Sequence, residues 1–304
     1  MKIFITGGNG MVGKNIHLLA SKNGHEVIAP KRAELDLLDF KAVQNAIELA
    51  APDVVIHCAG LVGGIQANIQ APFDFCNINL QLGINVVNAA LSTGVKKLIN
   101  LGSSCMYPRN AENPLAEEQI LKGELEPTNE GYAIAKVAVA SLCEYASKQH
   151  DVLYKTYIPC NLFGLWDKFD PKNSHMIPGV IRKIHEAKTK GSDTVDIWGD
   201  GLARREFMFA SDLADFILYT LGNYSDVPQN INVGIGADYS VNEFYESIAD
   251  VIQYKGEFIH DLSKPVGMKQ KLVDISKQNK LGWAPKTSLK DGIKQTYEFF
   301  LQGK

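Results

Sequence analysis

TGGNGMVG, residues 6–13, is the stretch whose reading decides the fold of this chain. It follows the apolar run KIFIT (2–6) and opens a segment of helical period from Met11 to Lys22. Strand, glycine turn and helix in that order form the first unit of a dinucleotide-binding fold. Gly7 permits the tight turn, Gly10 lets backbone approach a pyrophosphate, and Gly13 packs helix on sheet. The helix beyond offers unpaired N–H groups and the positive end of its dipole to the anion. Gly7, Gly8, Asn9, Gly10, Met11, Val12 and Gly13 are therefore candidate cofactor residues. A glycine turn without a ligand is the alternative, and its place between strand and helix argues against it.

Outward from the turn, EVIA (26–29), DVVIH (53–57), KLINL (97–101) and YKTYI (154–158) read as further strands. Helical patterns lie between them at Phe40 to Leu49, Ile78 to Ser92 and Tyr132 to Lys148. Continuous apolar strands alternating with helices predict an α/β chain, a Rossmann-type doubly wound parallel sheet. After Phe163 the pattern loosens into the polar loop WDKFDPKNSH. A helix over 175–187, a strand at DIWG (196–199), a helix at 211–221, a strand at NINVG (230–234) and helices near 241–252 and 289–301 follow. This division predicts a cofactor domain over 1–164 and a smaller α/β substrate lobe over 165–304. The chain is expected to return to the first domain near 207–235.

Composition narrows the function. A formal net charge of -3 over 304 residues, with no basic block, gives no electrostatic support for binding nucleic acid or a membrane surface. No apolar run approaches the roughly 20 residues of a membrane span. MKIFITGG runs directly into strand and turn, so no signal peptide is expected. Five cysteines at uneven spacing form neither a disulfide framework nor a zinc pattern, so no metal is expected. These features predict a cytoplasmic, reduced protein.

Two further signals point to carbonyl reduction. Tyr132-Ala-Ile-Ala-Lys136 is a YxxxK motif, which on a helix puts both side chains on one face. The lysine can hold the cofactor ribose and lower the phenol's pKa, and the tyrosine can protonate a carbonyl oxygen as hydride arrives. Ser103, in GSSCMYP (102–108) after the fourth strand, would offer that oxygen a second hydrogen bond; the alternative, that it only caps a turn, suits Ser104 better. Lys31 and Arg32 follow the second strand, where NAD binders usually carry an acid. Two cations there suit a 2′-phosphate and hence NADPH, although both also read as solvated loop charges.

TGGNGMVG, GSSCMYP, YAIAK and NSHMIP (173–178) together resemble the extended short-chain dehydrogenase/reductase family, in particular its members acting on GDP-linked 4-keto sugars. The likeness runs over nearly the whole chain, through ELDLLD (34–39), LVGGIQAN (61–68), LEPTNEGYAIAK (125–136), PCNLFG (159–164), WGDGLARREF (198–207) and KLVD (271–274). It implies NADPH-dependent 3,5-epimerisation and 4-reduction of GDP-4-keto-6-deoxy-D-mannose to GDP-L-fucose. Cys105 would be the base and His175 the acid of epimerisation. A ketone at C4 acidifies the C–H bonds at C3 and C5, and the groups that polarise its oxygen also stabilise the enolate. A thiol and an imidazole both titrate near enough to neutrality for the task. The resemblance adds Asp39, Leu101, Gly102, Pro159, Asn161, Leu162 and His175 to the cofactor contacts. It gives the diphosphate and guanosine contacts to Lys183, Trp198, Arg205 and Lys271.

Lys183 and Asn9 stand where the family carries arginine, so a bidentate contact is lost at 183 and a phosphate contact at 9. Cys58, Cys76, Cys143 and Cys160 read as small buried hydrophobes. Two rivals remain. One is a C4 reductase, with or without epimerisation, of a GDP-linked 6-deoxy-heptose or dideoxyhexose. The other is a non-catalytic NADP(H) sensor, which predicts loss of Ser103, Tyr132 or Lys136. By analogy with the family the chain is a homodimer, with Val137, Val139 and Leu142 on the outer face of the YAIAK helix unless they are core.

Overall fold

The computed structural model describes residues 1–170, 174–264 and 268–303. The first half runs β1 (Lys2–Thr6), α1 (Met11–Lys22), β2 (Glu26–Ile28), α2 (Phe40–Ala50), β3 (Val54–His57), α3 (Ile65–Gln70), α4 (Pro72–Ser92), β4 (Lys97–Leu101), α5 (Glu130–Gln149), β5 (Leu153–Pro159) and β6 (Asn161–Phe163). The second runs α6 (Met176–Lys190), β7 (Thr194–Trp198), β8 (Arg204–Arg205), β9 (Phe207–Phe209), α7 (Ala210–Leu221), β10 (Asn230–Val233) and β11 (Tyr239–Ser240). It ends with α8 (Val241–Ile252), β12 (Glu257–Asp261), β13 (Gln270–Lys271), α9 (Ser276–Lys280) and α10 (Leu289–Leu301).

Six parallel strands form the central sheet in the order β10-β5-β4-β3-β1-β2. Alternate residues of each strand feed two cores. Ile3, Ile5, Ile56 and Ile99 face one side with Ile16 of α1 and Phe216 of α7. Phe4, Val55, Leu98 and Tyr154 face the other with residues of α2, α4 and α5. Burial on both faces is why these strands read as unbroken apolar runs. The order reverses at β1, so the crevice beyond the carboxyl ends of β1 and β3 is the ligand position of such a sheet.

After β5 the chain leaves this sheet. α6, α8 and α10 pack on the β7–β12 ribbon around Ile181, Ile197, Phe244 and Ile293. β9 then pairs with β6, α7 returns to α1, and β10 takes the edge of the main sheet beside β5. β8 is the middle strand of a small sheet between β11 and β13. That sheet carries residue 271 back toward the crevice.

One expectation needs correction, and one choice left open is decided by the packing. α4 begins at Pro72, six residues before the expected start at Ile78; the proline stands in the first helical turn, where its missing N–H costs nothing. Val137 and Val139 lie inside the cores and Leu142 packs against one of them, while the exposed large apolar residues of α5 are Ile134 and Tyr145. Val139 meets α4 at Gly83, where an added Cβ would lie 2.3 Å from Val139 Cγ2. Val139 is β-branched and stiff, so Gly83→Ala should destabilise the protein by about 1–3 kcal/mol through overpacking. Adding Val139→Ala should restore part of the loss. Thermal melts check this, and a Gly83→Ala protein melting with the parent would show that the helices separate freely.

Candidate active site

At the carboxyl end of β1 the backbone turns at Gly7, with φ of 71°. A Cβ there would lie 2.7 Å from the Ala59 backbone, and one on Gly13 would lie 2.3 Å from the Gly7 carbonyl oxygen. These two glycines let turn, helix and the loop after β3 close on one another. Gly10 is the N-cap of α1 and supplies no side-chain cap, so the first-turn N–H groups remain available to an anion. A Cβ on Gly10 would meet nothing nearer than 3.4 Å, so its lack of a side chain serves the space outside the chain. The donor set and the cradle fit a dinucleotide pyrophosphate.

Beyond β2, Lys31 and Arg32 are exposed, and the Lys31 N–H is held by the Glu34 carboxylate at 2.8 Å. Neither ammonium nor guanidinium forms an ion pair among the described residues, so both remain available to a phosphate. Asp39 accepts from the Ala42 N–H and caps α2. Leu101, Gly102, Pro159, Asn161 and Leu162 cluster where β4 and β5 end and β6 begins. Gly102 has no room for a side chain, because a Cβ would lie 3.0 Å from Met106 and from Thr156.

A row of polar residues crosses the sheet here in register: Thr6, His57, Asn100 and Thr156. His57 Nδ1 lies 2.8 Å from Thr6 Oγ1, and the same hydroxyl oxygen accepts from the Ala59 N–H. Burial, reinforced by the Lys136 charge, holds the His57 imidazole down at about 3, so it is neutral. The row positions the Ala59 loop against the glycine turn. Sequence patterning missed it because His57 and Asn100 sit in runs that are otherwise apolar.

The reactive group assembles on α5 and the loop after β4. Lys136 is buried and donates to the Leu101 carbonyl at 2.8 Å, with its ammonium 5.8 Å from the Tyr132 ring centre. Burial lowers Lys136 to about 8, against the raising effect of Cys58 and Cys105. The Tyr132 phenol is pushed up by burial and by Cys105, while the Ser103 hydroxyl facing it pulls down. Ser103 Oγ also accepts the Cys105 N–H at 3.2 Å, capping the one-turn helix Ser104–Met106. Capping uses the oxygen as acceptor and leaves the hydroxyl proton for a ligand, so the two roles weighed for Ser103 coexist.

Cys105 carries two donors on its sulfur: Asn129 Nδ2 at 3.1 Å and Lys271 Nζ at 3.5 Å. Asn129 was not anticipated, and its only sequence signal is that it precedes the YxxxK helix. His175 is the N-cap residue of α6, and its side chain makes no capping bond. Burial, then the Lys168 charge, holds its imidazole below the usual range. Burial pushes Cys58 and Cys143 up to about 12 and Cys160 well up, which favours the neutral thiol at all three.

The residues assigned to the nucleotide handle separate. Lys183 is held by Asp196, at 2.7 Å to the carboxylate and 2.6 Å to the carbonyl. Trp198, on the same exposed face of β7, is half exposed with Lys264 over its ring at 5.7 Å. Arg204 is tied to Asp238 at 2.8 Å and to Glu243 at 3.4 Å, whereas Arg205 is half-buried, donates to the Arg204 carbonyl at 2.8 Å and senses Glu126. Lys271 stands with the thiol.

Three comparisons bear on the site. The profile of the NAD dependent epimerase/dehydratase family matches residues 3–234. A GDP-L-colitose synthase of Yersinia pseudotuberculosis is 52% identical, covering 100% of this chain and 99% of that protein. A GDP-L-fucose synthase of Azorhizobium caulinodans is 50% identical, covering 99% and 97%. Among solved structures, a GDP-mannoheptose C4 reductase of Campylobacter jejuni with NADP bound superposes with a TM-score of 0.90 at 35% identity, covering 99% and 98%.

The glycine turn yields a test that separates folding from binding. Gly10→Ala should melt with the parent, because its Cβ fits, while NADPH affinity falls at least about tenfold through lost close approach. Gly13→Ala should lose both. Fluorescence titration with NADPH checks this, and undiminished binding by Gly10→Ala would remove the pyrophosphate from this turn.

Proposed function

The chain belongs to the NAD dependent epimerase/dehydratase family, and from that premise we propose that it epimerises C3 and C5 of GDP-4-keto-6-deoxy-D-mannose and reduces C4 to give GDP-L-fucose. The observation that carries the reading is the thiol of Cys105 beside Ser103 and Tyr132, within one charge network with Lys136. A reductase alone needs the serine, tyrosine and lysine. A thiol among them supplies a base where a C4 oxygen would already be held.

Ser103 and Tyr132 donate hydrogen bonds to the ketone oxygen, which makes the neighbouring C–H bonds acidic. Cys105 removes a proton from C3 or C5, the electron pair moves onto the C4 oxygen, and His175 returns a proton to the opposite face. NADPH supplies the hydride that C4 accepts. Tyr132 then protonates the oxygen, and Lys136 stabilises the phenolate left behind. Lys31 and Arg32, unpaired beyond β2, favour the 2′-phosphate of NADPH. Trp198, Arg205 and Lys183 take the nucleoside diphosphate, Lys183 after release from Asp196.

A second reading, reduction at C4 of a related GDP-4-keto sugar such as a dideoxyhexose or heptose, is favoured by the likeness to the colitose synthase and the heptose reductase. We infer a cytoplasmic homodimer. Ile134 and Tyr145 on α5, and Phe73 and Ile84 on α4, are exposed pairs, each eleven residues or about three turns apart, so each pair lies on one helix face.

In deuterated water with GDP-4-keto-6-deoxymannose, the protein should place deuterium at C3 and C5 and then consume NADPH. Cys105→Ser should lose the exchange. NADPH consumed without ring deuterium would establish the simple reductase. Reduction should also fall as pH rises through about 8, where buried Lys136 gives up its charge. Lys136→Arg, which stays cationic, should show no such descent; an unchanged alkaline limb in that variant would assign it to another group.

A further inference from the structure

We propose that Lys271 and Asn129 hold Cys105 as a thiolate, so that each half of the reaction has its own lysine, Lys136 for the tyrosine and Lys271 for the thiol. The proposal rests on the reading of Cys105 as the epimerisation base and names what makes it one.

Both polar neighbours of the sulfur are N–H donors, Asn129 Nδ2 at 3.1 Å and Lys271 Nζ at 3.5 Å. A neutral thiol is a weak acceptor, and two donors, one of them a full positive charge, are better matched by sulfur as an anion. An adjacent ammonium is among the surroundings that favour thiolate. The charged and titratable groups facing the sulfur are Lys271 from β13, and Tyr132 and Lys136 from α5.

Lys271 is held from several sides. Its carbonyl accepts from the Glu206 N–H at 3.3 Å, the next N–H, of Leu272, donates to Asn113 Oδ1 at 2.8 Å, and that of Val273 donates to the buried Glu206 carboxylate at 2.9 Å. Asn129 is fixed at the start of α5 through its N–H to the Glu126 carbonyl. Its Oδ1 is buried without a partner, which leaves an acceptor beside the sulfur for a sugar hydroxyl.

The step balances without a further reactant. The sulfur anion takes a proton from the carbon next to the ketone, so an S–H bond forms and a C–H bond breaks. The electron pair passes to the C4 oxygen held by Ser103 and Tyr132. The thiol later releases that proton to solvent and its pairing with Lys271 is restored.

Alkylation of Cys105 by iodoacetamide in the full chain, followed by peptide mass spectrometry with Cys105→Ser as blank, tests the pairing directly. At neutral pH, Lys271→Met should slow alkylation about tenfold, and the gap should close at strongly alkaline pH, where any thiol is ionised. Lys271→Arg should restore most of the rate. Asn129→Asp, which puts a carboxylate on the sulfur, should slow it further than Asn129→Ala. A purely structural role predicts neither the closing gap nor the rescue. Equal rates for parent and Lys271→Met overturn the proposal. If Lys271→Met fails to fold, the Asn129→Asp protein decides, and a parental rate there overturns it equally. If alkylation behaves as expected but Cys105→Ser still exchanges deuterium at C3 and C5, the thiolate pairing stands and the reading of Cys105 as the base falls.

Discussion

Lys136 donates to the Leu101 carbonyl at 2.8 Å, and that one bond ties the first turns of α5 to the carboxyl end of β4. Its ammonium is buried, so the carbonyl is a necessary partner as well as a positional one. With α5 fixed there, Tyr132, one turn earlier, faces Ser103, and the chain entering the helix brings Asn129 onto Cys105. Loosening this bond would spread both hydroxyls and the thiol at once, because all are placed relative to the same helix.

The site divides between rigid and borrowed parts. Serine, thiol, tyrosine and lysine stand on β4, α5 and the turns next to them, packed between two cores. The imidazole opens α6, and the second lysine arrives on β13, 166 residues after Cys105. The lobe built on the β7–β12 ribbon therefore reaches the loop after β4. By pairing β13 with β8 it delivers a charge into a site whose backbone belongs to the other half of the chain. Ser103, Cys105, Tyr132 and Lys136 come from one half of the chain, and Lys271 reaches them from the other.

How far this could be read in advance follows from where each signal sits. The glycine turn and YxxxK are local, and local spacing fixes which side chains share a face, so the parallel sheet, α1, Tyr132 and Lys136 were legible. The substrate lobe was less so. EFIHD (257–261) becomes β12 with Ile259 exposed, so its alternation runs against the usual sense, and two-residue strands such as β8 and β13 have no period to detect. Asn129, His57 and the true partner of Lys271 are long-range facts. An asparagine before a helix, a histidine in an apolar strand and a lysine in a loop have no distinguishing neighbours in sequence. Val137 and Val139 show the converse, since α5 is apolar nearly all round and periodicity could not say which face was core.

Arg204 and Arg205 illustrate why placement outranks type. They are adjacent and chemically equal, yet strand alternation sends them to opposite faces. Arg204 turns to Asp238 and Glu243, where its charge is neutralised and its work is to hold β8 against α8. Arg205 turns inward, where burial lowers it against the raising effect of Glu126, and its Nη1 donates to the Arg204 carbonyl at 2.8 Å. Lys183 and Lys271 divide in the same way, one held by Asp196 and the other set on a sulfur. Of four cations that composition would treat alike, two are held by carboxylates of the lobe, one donates to a backbone carbonyl and one stands on a sulfur. Neighbours, and not residue type, therefore set what each of these charges holds.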